Sequence, residues 1–61
     1  MEITLQAISL ITTIQILEND WMISQEFLKN GNKIWIKGFG RDKREALQDF
    51  DAEVEIERLY L

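Results

Sequence analysis

Lys37, Arg41, Lys43 and Arg44 crowd around Gly38-Phe39-Gly40 and Asp42, and a block of acids follows at once. Cations gathered near the start of a helix are the residues that would hold a phosphate or carboxylate, because the free N–H groups of a first helical turn add to their field. Cations at that position otherwise oppose the helix dipole. A plainer account pairs Arg41 with Glu45 and leaves the rest solvated. The acids Glu45, Asp49 and Glu53 recur every four residues, which places them on one helix face, where they could receive a basic protein partner. Residues 29–44 hold six bases against Asp42 alone. Residues 45–57 hold six acids and no base. The molecule is therefore expected to be dipolar, which bears on partners and encounter rates rather than on fold.

No enzymatic chemistry assembles from the remaining residues. The chain has no histidine and no cysteine, so the common general base, thiolate nucleophile and metal ligands are missing. The acidic run lacks the glycine-centred calcium-loop pattern. Gly38-x-Gly40 lacks the third glycine of a dinucleotide fingerprint. A non-enzyme is expected, with no catalytic residue, no metal and no cofactor.

The elements that position these charges can be read from patterning. Asp42 is a helix N-cap, and Glu45 three residues on completes a capping-box pattern. The helix is predicted from Lys43 to about Leu59, with Leu47, Phe50 and Val54 facing inward and Ala46 beside them. Ile56 and Leu59 point elsewhere and mark a second contact surface. The alternation of Val54, Ile56, Arg58 and Tyr60 also allows a short final strand.

Before the pivot the chain reads as strand. Residues 2–18 are rich in Ile and Thr. Their alternation runs Ile3, Leu5, Ala7 and then changes phase to Ile8, Leu10, Thr12, Ile14, Ile16. That predicts one bent strand, or two strands broken near Thr12-Thr13, with a helix over residues 5–17 as the alternative. Glu18-Asn19-Asp20 is a turn. Asn30-Gly31 is a hairpin signal between Trp21–Leu28 and Lys33–Phe39. A tip at Asn30-Gly31 sets Phe27 against Ile34 and Glu26 against Trp35. A tip at Gly31-Asn32 sets Glu26 against Lys37.

Either register gives two apolar faces, one with Trp21, Ile23, Phe27, Ile34 and Ile36, the other with Met22, Leu28, Trp35 and Phe39. One helix covers one face. The rest is expected to be covered either by the long N-terminal segment folded across it or by self-association through Trp35, Phe39, Ile56 and Leu59, most simply as a homodimer.

The expected fold is α+β over residues 1–61 as one domain: an antiparallel sheet of three to four strands in β-β-β-α order, with the C-terminal helix on one face. At 61 residues such a domain is marginal alone. Met1-Glu2 opens no positively charged leader, and Ala7–Leu17 is too short and too polar to span a bilayer. A cytoplasmic protein without membrane contact is expected.

Two family resemblances rest on the same residues. The span Trp21–Leu61 resembles the HicB-like antitoxin domain. There, strands lead through a glycine into a helix opened by a capping residue, two variable residues and Glu-Ala. Gly40, Asp42, Glu45, Ala46 and Leu47 stand at those places, although the prolines usual before that glycine are absent. The resemblance implies a sheet-plus-helix fold, dimerisation and binding to a protein toxin. The run Gly38-Phe39-Gly40-Arg41-Asp42-Lys43-Arg44-Glu45-Ala46-Leu47 is also similar to the Gly-x-Gly-x-Ser-Lys-Lys-x-Ala-Lys end of double-stranded-RNA-binding domains. Lys43 and Arg44 match phosphate-contacting positions, while Asp42 and Leu47 replace the serine and the last lysine. The expected function is a small regulatory protein that binds another protein, as an antitoxin-like or mobile-element-encoded inhibitor. A nucleic-acid binder using Lys37, Arg41, Lys43 and Arg44, and a structural subunit of a larger assembly, are the alternatives.

Overall fold

Asn30 and Gly31 both adopt positive φ, 50° and 85°, the signature of the two-residue hairpin turn whose twist matches the strands it joins. The computed structural model describes residues 2–60 and sets β3 (Asp20–Lys29) against β4 (Asn32–Gly40) around this turn. Phe27 pairs with Ile34 and Glu26 with Trp35, so the tip is Asn30-Gly31. Ahead of the hairpin lie β1 (Leu5–Ala7) and β2 (Thr12–Leu17), and after it comes α1 (Lys43–Leu59). All pairings are antiparallel. β3 is central. β4 lines one side, and β1 and β2 follow one another along the other. The fold is α+β, a four-stranded antiparallel sheet with one C-terminal helix.

Within residues 2–18 the chain forms two short strands, Leu5–Ala7 and Thr12–Leu17, and no helix. The break falls at Ile8–Ile11, where the apolar phase changes, and not at Thr12-Thr13. Ala7 pairs with Phe27 and Thr12 with Ser24, so Ile8–Ile11 stand opposite only Gln25 and Glu26. Ser9 splices the gap. Its hydroxyl accepts from the Glu26 N–H at 2.9 Å and its carbonyl accepts from Gln25 Nε2 at 2.8 Å. The two surplus residues form an even insertion, so side-chain parity survives the break. The change of apolar phase therefore carries the greasy residues across the sheet. Leu5 faces the helix, whereas Ile14 lies on the opposite face.

The core is Ile23, Phe27, Ile36, Ala46 and Phe50, with Leu5, Trp21, Ile34 and Val54 against it. Leu47 does not belong to it: it is 44% exposed. The helix touches the sheet along Ala46, Phe50 and Val54 because Gly38 and Gly40 admit its backbone. A Cβ on Gly38 would lie 2.5 Å from the Ala46 carbonyl and from Phe50 Cα, and one on Gly40 would lie 2.5 Å from Glu45 Cβ. Neither glycine has positive φ. Their role is close approach.

Asp42 caps α1, its side chain accepting from the Glu45 N–H at 2.9 Å. Glu45 reaches back to the Arg41 N–H rather than to that of Asp42, one residue earlier than the usual reciprocal box. Asp42→Ala is expected to lower stability by about 0.5–2 kcal/mol. A thermal melt superimposable on the parent's would show that the cap carries no weight. The helix ends at Leu59, and Tyr60 is extended with its N–H on the Ile56 carbonyl. No final strand forms among the described residues.

Candidate functional site

The pairing register sorts every side chain of β3 and β4 onto one of two faces. Trp21, Ile23, Gln25, Phe27, Lys29, Ile34, Ile36, Gly38 and Gly40 lie under the helix. Met22, Ser24, Glu26, Leu28, Lys33, Trp35, Lys37 and Phe39 lie on the open face. Three cross-strand rows on that face matter. Phe39, Met22 and Ile14 form an apolar row. Lys37, Ser24 and Thr12 form a polar one. Trp35 stands beside Glu26 with Lys33 and Lys37 on either side along β4. Trp35 is 55% exposed and Phe39 54%. Two such large apolar side chains exposed on one face, with Lys37 between them, make this face the candidate binding surface.

The basic cluster expected at the pivot is dispersed. Lys37 is on the open face, across the sheet from the helix. Arg41 is paired with Glu45 at 3.1 Å. Lys43 Nζ sits 5.2 Å from the centre of the Trp21 ring, a cation–π contact that anchors it beside the core. Arg44 is exposed. These four residues do not converge.

The acidic stripe is equally changed by the fold. It runs along the flank where α1 meets the sheet. Asp49 accepts from the Phe39 N–H at 2.8 Å, capping the free edge of β4. Glu57 meets Lys29 at 2.7 Å, with the Lys29 side chain largely buried, and Lys29 also donates to the Tyr60 carbonyl. Glu53 is half-buried on the same flank. Glu45 is held below its ordinary pKa by the Arg41 side-chain hydrogen bond first, then by the Arg41 N–H and charge. The same hydrogen bond raises Arg41. The contribution of this exposed pair is complete above the ordinary carboxyl range and lost as pH falls through the lowered value. Two of the three acids expected to meet a partner, Glu45 and Asp49, thus hold the chain's own backbone.

Of the four residues expected to mediate self-association, Trp35 and Phe39 are together on the open face. Ile56 and Leu59 are exposed on the helix layer, a separate surface. The site residues read from sequence did not include Lys33, whose i, i+2 spacing from Trp35 was the available signal, nor the expected strand β2 as an exposed surface. Every residue of β2 is exposed. Among the described residues no helix is long and apolar enough to cross a membrane. No family model, curated protein or solved structure matches this chain.

Proposed function

We propose that this chain is a small regulatory protein of the cytoplasm that works by binding another protein, and that the open sheet face is where it does so. The exposure of Trp35, and of Phe39 beside Met22, carries this reading. Exposed aromatic anchors are the usual energetic core of a protein interface, and here Lys37 stands between the two. Lys33 and Lys37 favour an acidic partner surface, which moves docking away from the helix acids. An antitoxin-like or mobile-element-encoded inhibitor is the most concrete form of this function.

One observation favours a second reading. Lys33, Trp35, Lys37 and Phe39 alternate base and aromatic along one exposed strand, the combination that stacks and neutralises single-stranded nucleic acid. It is the weaker reading because Glu26 stands directly beside Trp35 and the net charge is −4.

Affinity capture from the source cell, with the wild type and the Trp35→Ser/Phe39→Ser double variant as baits, tests both. A protein captured by the wild type should bind the double variant at least about 30-fold more weakly, the scale of a lost aromatic hot spot. Ile56→Ser/Leu59→Ser should leave capture intact. If the helix-layer pair were the damaging one instead, the open face would not be the docking surface. A captured RNA, released by Lys33→Gln/Lys37→Gln and by salt, would select the second reading.

A further inference from the structure

The two edges of this sheet are not equivalent. β4 is guarded. Asp49 takes the outward N–H of Phe39. Antiparallel alternation then leaves Lys33, Trp35 and Lys37 as its other outward-bonding residues. A two-fold pairing of β4 with a second β4 about Trp35 would set Lys33 opposite Lys37 twice, a like-charge clash typical of protected edges. Among the described residues the opposite edge has no such guard. From Ile8 to Leu17 there is no charged residue, no glycine and no proline. β2 is exposed over its whole length, with Ile14 at 43%, Ile16 at 52% and Leu17 at 66%. An uncharged, β-branched strand of this kind, open at its edge, is a template for strand addition.

We propose that β2 is a self-pairing edge, and that its occupant is β2 of a second copy of this chain, running antiparallel about a two-fold axis at Ile14. The hydrogen-bonding pattern selects that register. Even-numbered residues of β3 turn their backbone groups toward β1 and β2, as the bond from the Ile8 N–H to the Glu26 carbonyl shows. Thr12 and Ile14, paired with Ser24 and Met22, therefore bond inward, and Thr13 and Gln15 bond outward. With the axis at Ile14, Thr13 meets Gln15 of the second copy and Gln15 meets Thr13, so every outward group of both pairs finds a partner. Ile14 lies against its own counterpart on the open face. The row Phe39, Met22, Ile14 then continues into Ile14, Met22 and Phe39 of the second copy, one apolar band across a continuous sheet. No charge is placed opposite another.

The surface area agrees with an uncovered interface. The chain exposes 4556 Å², against about 4100 Å² for a compact monomer of this mass. The shape is flat, 41 × 19 × 12 Å. Covering the excess on two copies would bury roughly 900 Å², the size of a weak, reversible interface.

Sedimentation velocity from about 1 to 200 µM, the range such an interface occupies, should show the mass moving from 7.2 kDa to twice that value. Ile14→Lys places two like charges across the axis. Gln15→Pro deletes an outward N–H while sparing the bonds to β3. Each should raise the midpoint concentration at least about tenfold, with circular dichroism unchanged. Gln48→Lys, on the exposed helix surface, should not shift it. Because the chain has no cysteine, Ile14→Cys introduces a single thiol. Oxidation should join two chains nearly completely through this close pair, and Gln48→Cys should stay largely monomeric. A 7.2 kDa species throughout, a dimer indifferent to both β2 variants, or an Ile14→Cys chain that crosslinks no faster than Gln48→Cys would each overturn the proposal.

Discussion

A chain carrying Gly38→Ala is expected to lose its cooperative fold. The added methyl would press on the Phe50 N–H, and it would lie 2.5 Å from both the Ala46 carbonyl and Phe50 Cα. These are backbone atoms of a helix and cannot swing aside like the end of a side chain. The helix must lift from β4, which draws Phe50 and Ala46 out of the core. Overpacking typically costs roughly 1–3 kcal/mol, and a rigid backbone contact belongs at or beyond the top of that range. In a 61-residue chain a single hydrophobic core rarely supplies more than about 3–5 kcal/mol, so little would remain. Gly31→Ala is the matched contrast. Nothing lies within 4 Å of a Cβ there, but φ is +85°, so only the left-handed backbone resists, at about 1–2 kcal/mol. Thermal melts followed by circular dichroism and amide dispersion would separate them. A sharp Gly38→Ala transition within a few degrees of the parent's would sink the close-approach argument.

Phe50→Ala should remove one of the two buried phenylalanines that fill the core. Phe50 is 4% exposed and packs with Ile23, Phe27, Ile36 and Ala46. It is the one large side chain the helix buries, since Ala46 is small, Leu47 is exposed and Val54 is only partly covered. Truncating a buried Phe costs about 3–5 kcal/mol through lost transfer energy and the cavity left behind. In a molecule this small that amounts to unfolding, or to a collapsed state with helix but no fixed packing. Urea titration would read it as a midpoint near zero. Leu47→Ala, which removes a comparable side chain from an exposed position, should move the midpoint little. If the two variants proved equally damaging, the helix would be rotated from the orientation described here.

Much of the architecture was legible in local signals, because those signals are local chemistry. Asn30-Gly31 specifies a turn by the positive φ its residues tolerate, although the choice between a tip there and one at Gly31-Asn32 came from the strand pairing. Asp42 and Glu45 mark the helix start by satisfying N–H groups within a few residues of themselves. Period-two patterning separates Trp35 and Phe39 from the face that carries Ile23, Phe27 and Ile36. The helix interior was less legible: Leu47 has the composition of a core residue, but the glycines of β4 decide which flank of the helix lies closest.

The charges show where sequence stops being informative. Lys37 and Lys43 are near neighbours in the chain and stand on opposite faces of the sheet, because strand alternation and the chain reversal into the helix separate them. Glu45 and Asp49 form an unbroken acidic stripe in one dimension, yet in three they are spent on Arg41 and on the Phe39 N–H. The apolar phase change at Ala7-Ile8 announced a break, but only the pairing shows that four residues oppose two. An even insertion keeps parity, and so leaves Ile14 on the open face. The sequence by itself determined the cap, the hairpin with its two faces and the passage from strands to a C-terminal helix, because each depends on contacts within a few residues. Which edge is guarded, which charges are free and which apolar residues stay uncovered depended on residues distant in the chain meeting across the sheet, and the tertiary structure alone decided them.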